Sequence, residues 1–183
     1  LLSIKQTENV IQAVHPTYNA FKFKDLTMEE ARNGLDIKDD EHVLLFFGFV
    51  REYKGLKHLL RAMPEIKKAD SKIRLLVVGD FGDDEEEYMQ LIQNLDIEDV
   101  LSIYKGYIPD KEIEQYFVAS DLVVLPYESA TQSGVVQIAY GFEKPVLVTE
   151  VGGLPEVVTD NKTGYVVTPK CPKEIAEKVQ EFF

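Results

Sequence analysis

The chain has 183 residues, 45% of them hydrophobic, and carries 20 basic against 32 acidic side chains for a formal charge of −12. That length and apolar content suit one domain with a sizeable core, no run approaches the roughly 20 apolar residues of a membrane-spanning helix, and the opening LLSIKQTENV lacks the basic lead and apolar stretch of a secretory signal. The acidic excess argues against nucleic acid, which needs an extended basic face, and the single cysteine, Cys171, has no partner in the chain, so the expected compartment is the reducing cytoplasm.

Residues 1–24, interrupted by His15-Pro16, read as a linker segment ahead of a domain spanning 25–183. Thr27 and Glu30 spell a capping box that opens a short helix ending about Gly34. From there strand and helix patterns alternate. VLLFFG (43–48) is a strand, and Leu56, Leu59, Leu60, Met63 and Ile66 share one helical face. IRLLVVG (73–79) precedes a helix marked by Tyr88, Leu91, Ile92 and Leu95, and VLSIY (100–104) precedes one marked by Ile113, Tyr116 and Phe117. DLVVLP (121–126) leads to a helix starting near Val135, PVLVT (145–149) to a second glycine turn, and GYVV (164–167) to a last helix with Ile175, Val179 and Phe182 inward. Short, wholly apolar strands separated by helices predict an α/β fold: a Rossmann-like parallel sheet flanked by helices, with ligands beyond the carboxyl ends of the strands.

Three loops at such ends carry chemistry. In GFVREYKGL the first strand ends at Gly48 and the loop holds Arg51 and Lys54 before a helix; a planar fork and a mobile ammonium suit a diphosphate, or simply decorate a solvated loop. In the turn Ser129–Gly134, the residues Thr131, Gln132, Ser133 and Gly134 cap the next helix or bind phosphate with the same geometry, and capping accounts for one of them, not for the run. Val151-Gly152-Gly153-Leu154-Pro155-Glu156 is either a tight connector or a loop against a sugar.

Other signals are set aside. The acidic run at 82–88 is a dipole-favoured helix start rather than a metal site, and the chain contains no D-x-D pair. His15, His42 and His58 are scattered, with His58 placed on the outer flank of its helix, so no zinc pair is expected. Cys171 has no neighbouring histidine and Ser133 no G-x-S-x-G context, which argues against nucleophilic hydrolysis.

In this order and spacing, FGFVREYKGLKHLLRAM, LLVVGDFG, YKGYIPDKEIEQYFVASDLVVLPYES, KPVLVTEVGGLPEVV and TGYVV resemble the C-terminal, donor-binding half of GT-B glycosyltransferases of retaining family 4, the glycosyl transferases group 1, from about Val43 onward. The resemblance implies a domain that binds a nucleotide-diphosphate sugar for transfer to an acceptor hydroxyl with retained configuration. Arg51 and Lys54 would be the catalytic cations on the leaving diphosphate. Gly48, Thr131, Gln132, Ser133, Gly134 and Val135 would line the donor, Gly106, Tyr107 and Ile108 would meet the base, and Gln137 the ribose. Neither metal nor cofactor is implied. The partners implied are the nucleotide sugar and an N-terminal acceptor domain that this chain does not contain, so the chain by itself is expected to be inactive. Nucleic acid is not a partner, and membrane association, at the inner face, would come only through that domain or the acceptor. The chain departs from the family where Phe49 replaces an arginine beside the strand glycine, and where Ala130 and Ile138 stand in place of two glutamates eight residues apart; Glu128, Gln137 and Glu143 lie nearby, out of register. Two other readings are a non-catalytic α/β regulatory or binding module and a sugar-nucleotide epimerase of related architecture.

Overall fold

A computed structural model describes residues 16–18 and 20–183. Residues 1–15, including His15 and most of the linker segment, lie outside the described residues. Six strands, β1 (His42–Phe47), β2 (Ile73–Gly79), β3 (Leu101–Lys105), β4 (Leu122–Leu125), β5 (Val146–Thr149) and β6 (Gly164–Val167), form one parallel sheet in the order β3-β2-β1-β4-β5-β6. The connecting helices are α1 (Met28–Gly34), α2 (Leu56–Ala69), α3 (Glu85–Asn94), α4 (Asp110–Ala119), α5 (Gly134–Gly141), α6 (Leu154–Val157) and α7 (Pro172–Phe182).

The wholly apolar strands are explained by burial on both faces. Leu44 and Phe46 of β1, Leu75 and Val77 of β2, and Leu122 and Val124 of β4 join one core with α2, α3 and α7. Their alternates Val43, Leu45, Phe47, Leu76, Val78, Val123 and Leu125 join a second core with α1, α4 and α5. The predicted strand at 100–104 begins one residue later, because Val100 closes a 3-10 turn.

The capping box forms as predicted: the Glu30 N–H donates to Thr27 Oγ1 at 3.2 Å, and the Thr27 N–H donates to Glu30 Oε2 at 2.9 Å. Two buried charges then fasten the start of the domain. Arg32 donates to the carbonyls of Ala119, Asp39 and Glu41 and pairs with Asp121 at 2.9 Å, while Asp121 also accepts the Val43 N–H. Glu114 accepts the N–H groups of Phe23, Lys24 and Leu26, and these bonds hold its carboxyl below its usual pKa against the opposing effect of burial. Residues leading into α1 are thereby pinned to α4.

The chain moves outward from β1 to β2 and β3, then returns to pair β4 with the other side of β1, in the register Leu44 with Leu122 and Leu45 with Val123. At that reversal the loops after β1 and β4 leave in opposite directions and open a crevice at the carboxyl edge.

Candidate functional site

The loop after β1 forms one wall of the crevice. Gly48 takes φ +108°, and a side chain there would press on Lys54 Nζ, 2.8 Å from the place of a Cβ. A 3-10 turn over Glu52–Lys54 folds the chain back, setting the ammonium over Gly48 and 5.8 Å from the centre of the Tyr127 ring. Lys54 forms no ion pair among the described residues. Burial, and then the like charge of Arg51, hold its pKa below the ordinary lysine value. Arg51 itself turns elsewhere: its guanidinium donates to the Val50 carbonyl at 2.9 Å, lies 5.4 Å from the Phe49 ring centre and neighbours Gly82. The predicted cationic pair is thus one lysine in the crevice and one arginine beside it.

The turn after β4 forms the facing wall. Tyr127 is buried, its carbonyl accepts the Thr149 hydroxyl at 2.5 Å, and its own hydroxyl stands 3.4 Å from Ser133 Oγ. Burial pushes its phenol up to about 12, so it stays neutral at ordinary pH. Ser133 occupies the N-cap position of α5 without a side-chain capping bond, which leaves the first N–H groups of that helix uncapped by it. The resulting cleft of about 410 Å³ is lined by Tyr53, Lys54, Tyr127, Thr131, Gln132 and Ser133, with Gly134 and Val135 at the helix start. Among the described residues, no carboxylate lines it. Ala130 and Ile138 face the same space.

The third loop buttresses the second rather than lining the cleft. Gly152 takes φ +53° against the Ala130 carbonyl, where a Cβ has no room, and the Gly153 N–H donates to the Thr131 carbonyl at 2.9 Å. Of its two readings, the tight connector is the one the geometry supports.

A second recess of about 160 Å³ opens at the ends of β1, β2 and β3, bounded by Gly48, Phe49, Asp80, Gly106, Tyr107 and Ile108. Gly48 borders this recess and touches Lys54 of the larger cleft, so the two cavities adjoin. Gln137, assigned above to the ribose, lines neither cavity: it is buried, and its main-chain carbonyl accepts the Tyr18 N–H at 3.1 Å.

His58 is a correction to the sequence reading. It lies in the first turn of α2 but faces inward, 7% exposed, because that turn packs beneath the crevice. Its Nε2 is 2.8 Å from Glu128 Oε1, the other Glu128 oxygen accepts Lys170 Nζ at 2.6 Å, and the Glu128 N–H donates to the Tyr53 carbonyl at 2.6 Å. Lys170 first, then His58, hold the Glu128 carboxyl below its usual range. This staple ties the loops after β1, β4 and β6 together. Its members are 70 residues apart for the first pair, and no local pattern announces them. Among the described residues, no group of three or more His, Cys, Asp or Glu is placed to hold a metal, and no helix is long and apolar enough to cross a membrane.

A six-stranded parallel sheet in this order, with a crevice at its switch point, is a Rossmann-like fold and matches that of the solved glycosyltransferase structures it resembles. Residues 27–183 match the family model for glycosyl transferases group 1, and the chain belongs to that family. It is 30% identical over 176 residues to an uncharacterized glycosyltransferase of Methanocaldococcus jannaschii, covering 92% of this chain and 44% of that protein. It is 31% identical over 166 residues to the D-inositol 3-phosphate glycosyltransferase of Segniliparus rotundus, covering 89% and 37%. Among solved structures it resembles Anabaena HepE in complex with UDP-glucose, with a TM-score of 0.70 and 25% identity over 84% of this chain and 42% of that one. The chain therefore spans less than half the length of these relatives.

Proposed function

We propose that this domain binds a nucleotide-diphosphate sugar and, with an N-terminal acceptor domain, transfers the sugar to a hydroxyl with retention of configuration. The observation that carries the reading is the Lys54 ammonium: it lacks a carboxylate partner among the described residues and stands where the two cavities adjoin. An unpaired, half-buried cation is costly unless an anion joins it. The diphosphate lies at Lys54 and the first turn of α5, the sugar in the cleft of Thr131, Gln132 and Ser133, and the base in the recess of Gly106, Tyr107 and Ile108.

Transfer breaks the bond between the anomeric carbon and the terminal phosphate oxygen, whose electron pair leaves on the diphosphate, and joins that carbon to the acceptor oxygen, whose proton is released with the nucleoside diphosphate. Lys54 and the N–H groups at the start of α5 are preorganised toward that growing charge. No metal is required on this reading. A relative bound to UDP-glucose supports the donor class, and the family supports transfer. The neutral Ala130 and Ile138 leave ribose and sugar to hydroxyl, amide and main-chain partners.

The test is a titration of the ¹⁵N-labelled chain with UDP, GDP and ADP. One of them is expected to shift the amides of Gly48, Tyr107, Ser133 and Gly134 together. Saturating amounts of all three that move none of these amides would refute the assignment. The two-domain protein is expected to give product of the donor's anomeric configuration, and the isolated domain to give none.

A further inference from the structure

Phe49 is a large apolar side chain left 52% exposed at the carboxyl edge of the sheet, and Tyr107 across the recess is 74% exposed. Neither exposure is explained by packing. Both residues border the 160 Å³ recess, whose other walls include the apolar Phe47, Val78, Ile108 and Ile113. Apolar and aromatic walls of this kind suit the face of a flat heteroaromatic ring. The Tyr107 and Ile108 N–H groups, in the loop that bounds the recess, make no main-chain hydrogen bond among the described residues. The guanidinium of Arg51 lies 5.4 Å from the Phe49 ring centre, and its NH1 is tied to the Val50 carbonyl. A cation within about 6 Å of an aromatic ring centre is attracted to its face.

Building on the proposed donor site, we infer that Phe49 is a donor-binding residue that stacks against the nucleobase. Arg51 acts through it, as a positioning residue that braces the ring rather than as a phosphate ligand. The division of labour follows from the geometry: of the loop's two cations, Lys54 lines the crevice, while the residue immediately after Gly48 supplies an aromatic surface to the adjoining recess. Recognition is thereby divided between a charged end and a flat apolar end, each owned by different side chains of one loop.

The separation is directly measurable on the 183-residue chain. Calorimetric titration is carried out with the tightest binder among UDP, GDP and ADP, and separately with inorganic pyrophosphate, which has no base. Phe49→Ala is expected to weaken the nucleotide by about tenfold, the scale of one lost base–aromatic stack, and to leave pyrophosphate within about twofold. Phe49→Tyr is expected to keep nucleotide affinity, since the ring survives, which also guards against a folding defect in the alanine variant. Arg51→Ala is expected to weaken the nucleotide less than Phe49→Ala, and to add nothing in the Phe49→Ala background. A nucleotide affinity indifferent to Phe49→Ala, or equal losses for nucleotide and pyrophosphate, overturns the role of Phe49 while leaving the donor site standing. A wild-type chain that binds none of the three nucleotides overturns both.

Discussion

Replacing Lys54 by methionine should move stability and binding in opposite directions. Methionine keeps an unbranched side chain of similar length and puts a neutral end in place of the ammonium that lies over Gly48 and Tyr127. In the free domain that charge is unfavourable: burial and the neighbouring Arg51 both hold its pKa down, which means that the fold disfavours the ammonium relative to the unfolded chain. Its removal relieves both, and the melting temperature of the unliganded domain is expected to rise. In the liganded domain the same ammonium meets a diphosphate, and a charge-assisted hydrogen bond of this kind contributes about 1.5–3 kcal/mol. The dissociation constant for the nucleotide should therefore rise by roughly 10- to 150-fold. Thermal melting without ligand and calorimetric titration with it, both at pH 7, read the two effects separately. A variant that melts lower and binds nucleotide unchanged would refute the reasoning and make Lys54 a structural residue.

Three further outcomes follow from the same geometry. Affinity for the nucleotide diphosphate needs the charged Lys54, so it should fall as pH rises through the lysine's depressed pKa, beginning below 10.5, whereas Tyr127, pushed up to about 12, stays neutral across that window; titrations between pH 7 and 10.5 check this, and a flat profile contradicts it. Arg32→Ala leaves Asp121 partly buried without its partner and should cost about 3–5 kcal/mol in denaturant unfolding, far from the crevice. Gly152→Ala places a methyl on the Ala130 carbonyl at positive φ and should cost about 1–3 kcal/mol, and it should also weaken nucleotide binding, because the turn it displaces is a wall of the cleft.

The alternating apolar runs were sufficient to derive the parallel sheet, since a strand buried on both faces leaves a pattern that no exposed strand shares. Thr27 and Glu30 announced their helix for an equally local reason, as capping needs only residues three apart. The loops that line the cleft were legible too, through Gly48 with Lys54 and through the small residues ahead of α5. Directions of side chains were not. Arg51 and Lys54 lie three positions apart on one loop, yet only Lys54 turns inward, because the 3-10 turn and the left-handed Gly55 rotate it over Gly48. His58 lies inside rather than outside because its partner Glu128 arrives from the loop after β4, a contact no helical periodicity encodes. Gln137 faces away from the cleft for the same class of reason. Local spacing determined which elements form and where their loops end. Which loops face each other, and hence which charges share a cavity, was decided by the strand order β3-β2-β1-β4-β5-β6, a consequence of packing among residues far apart in the chain.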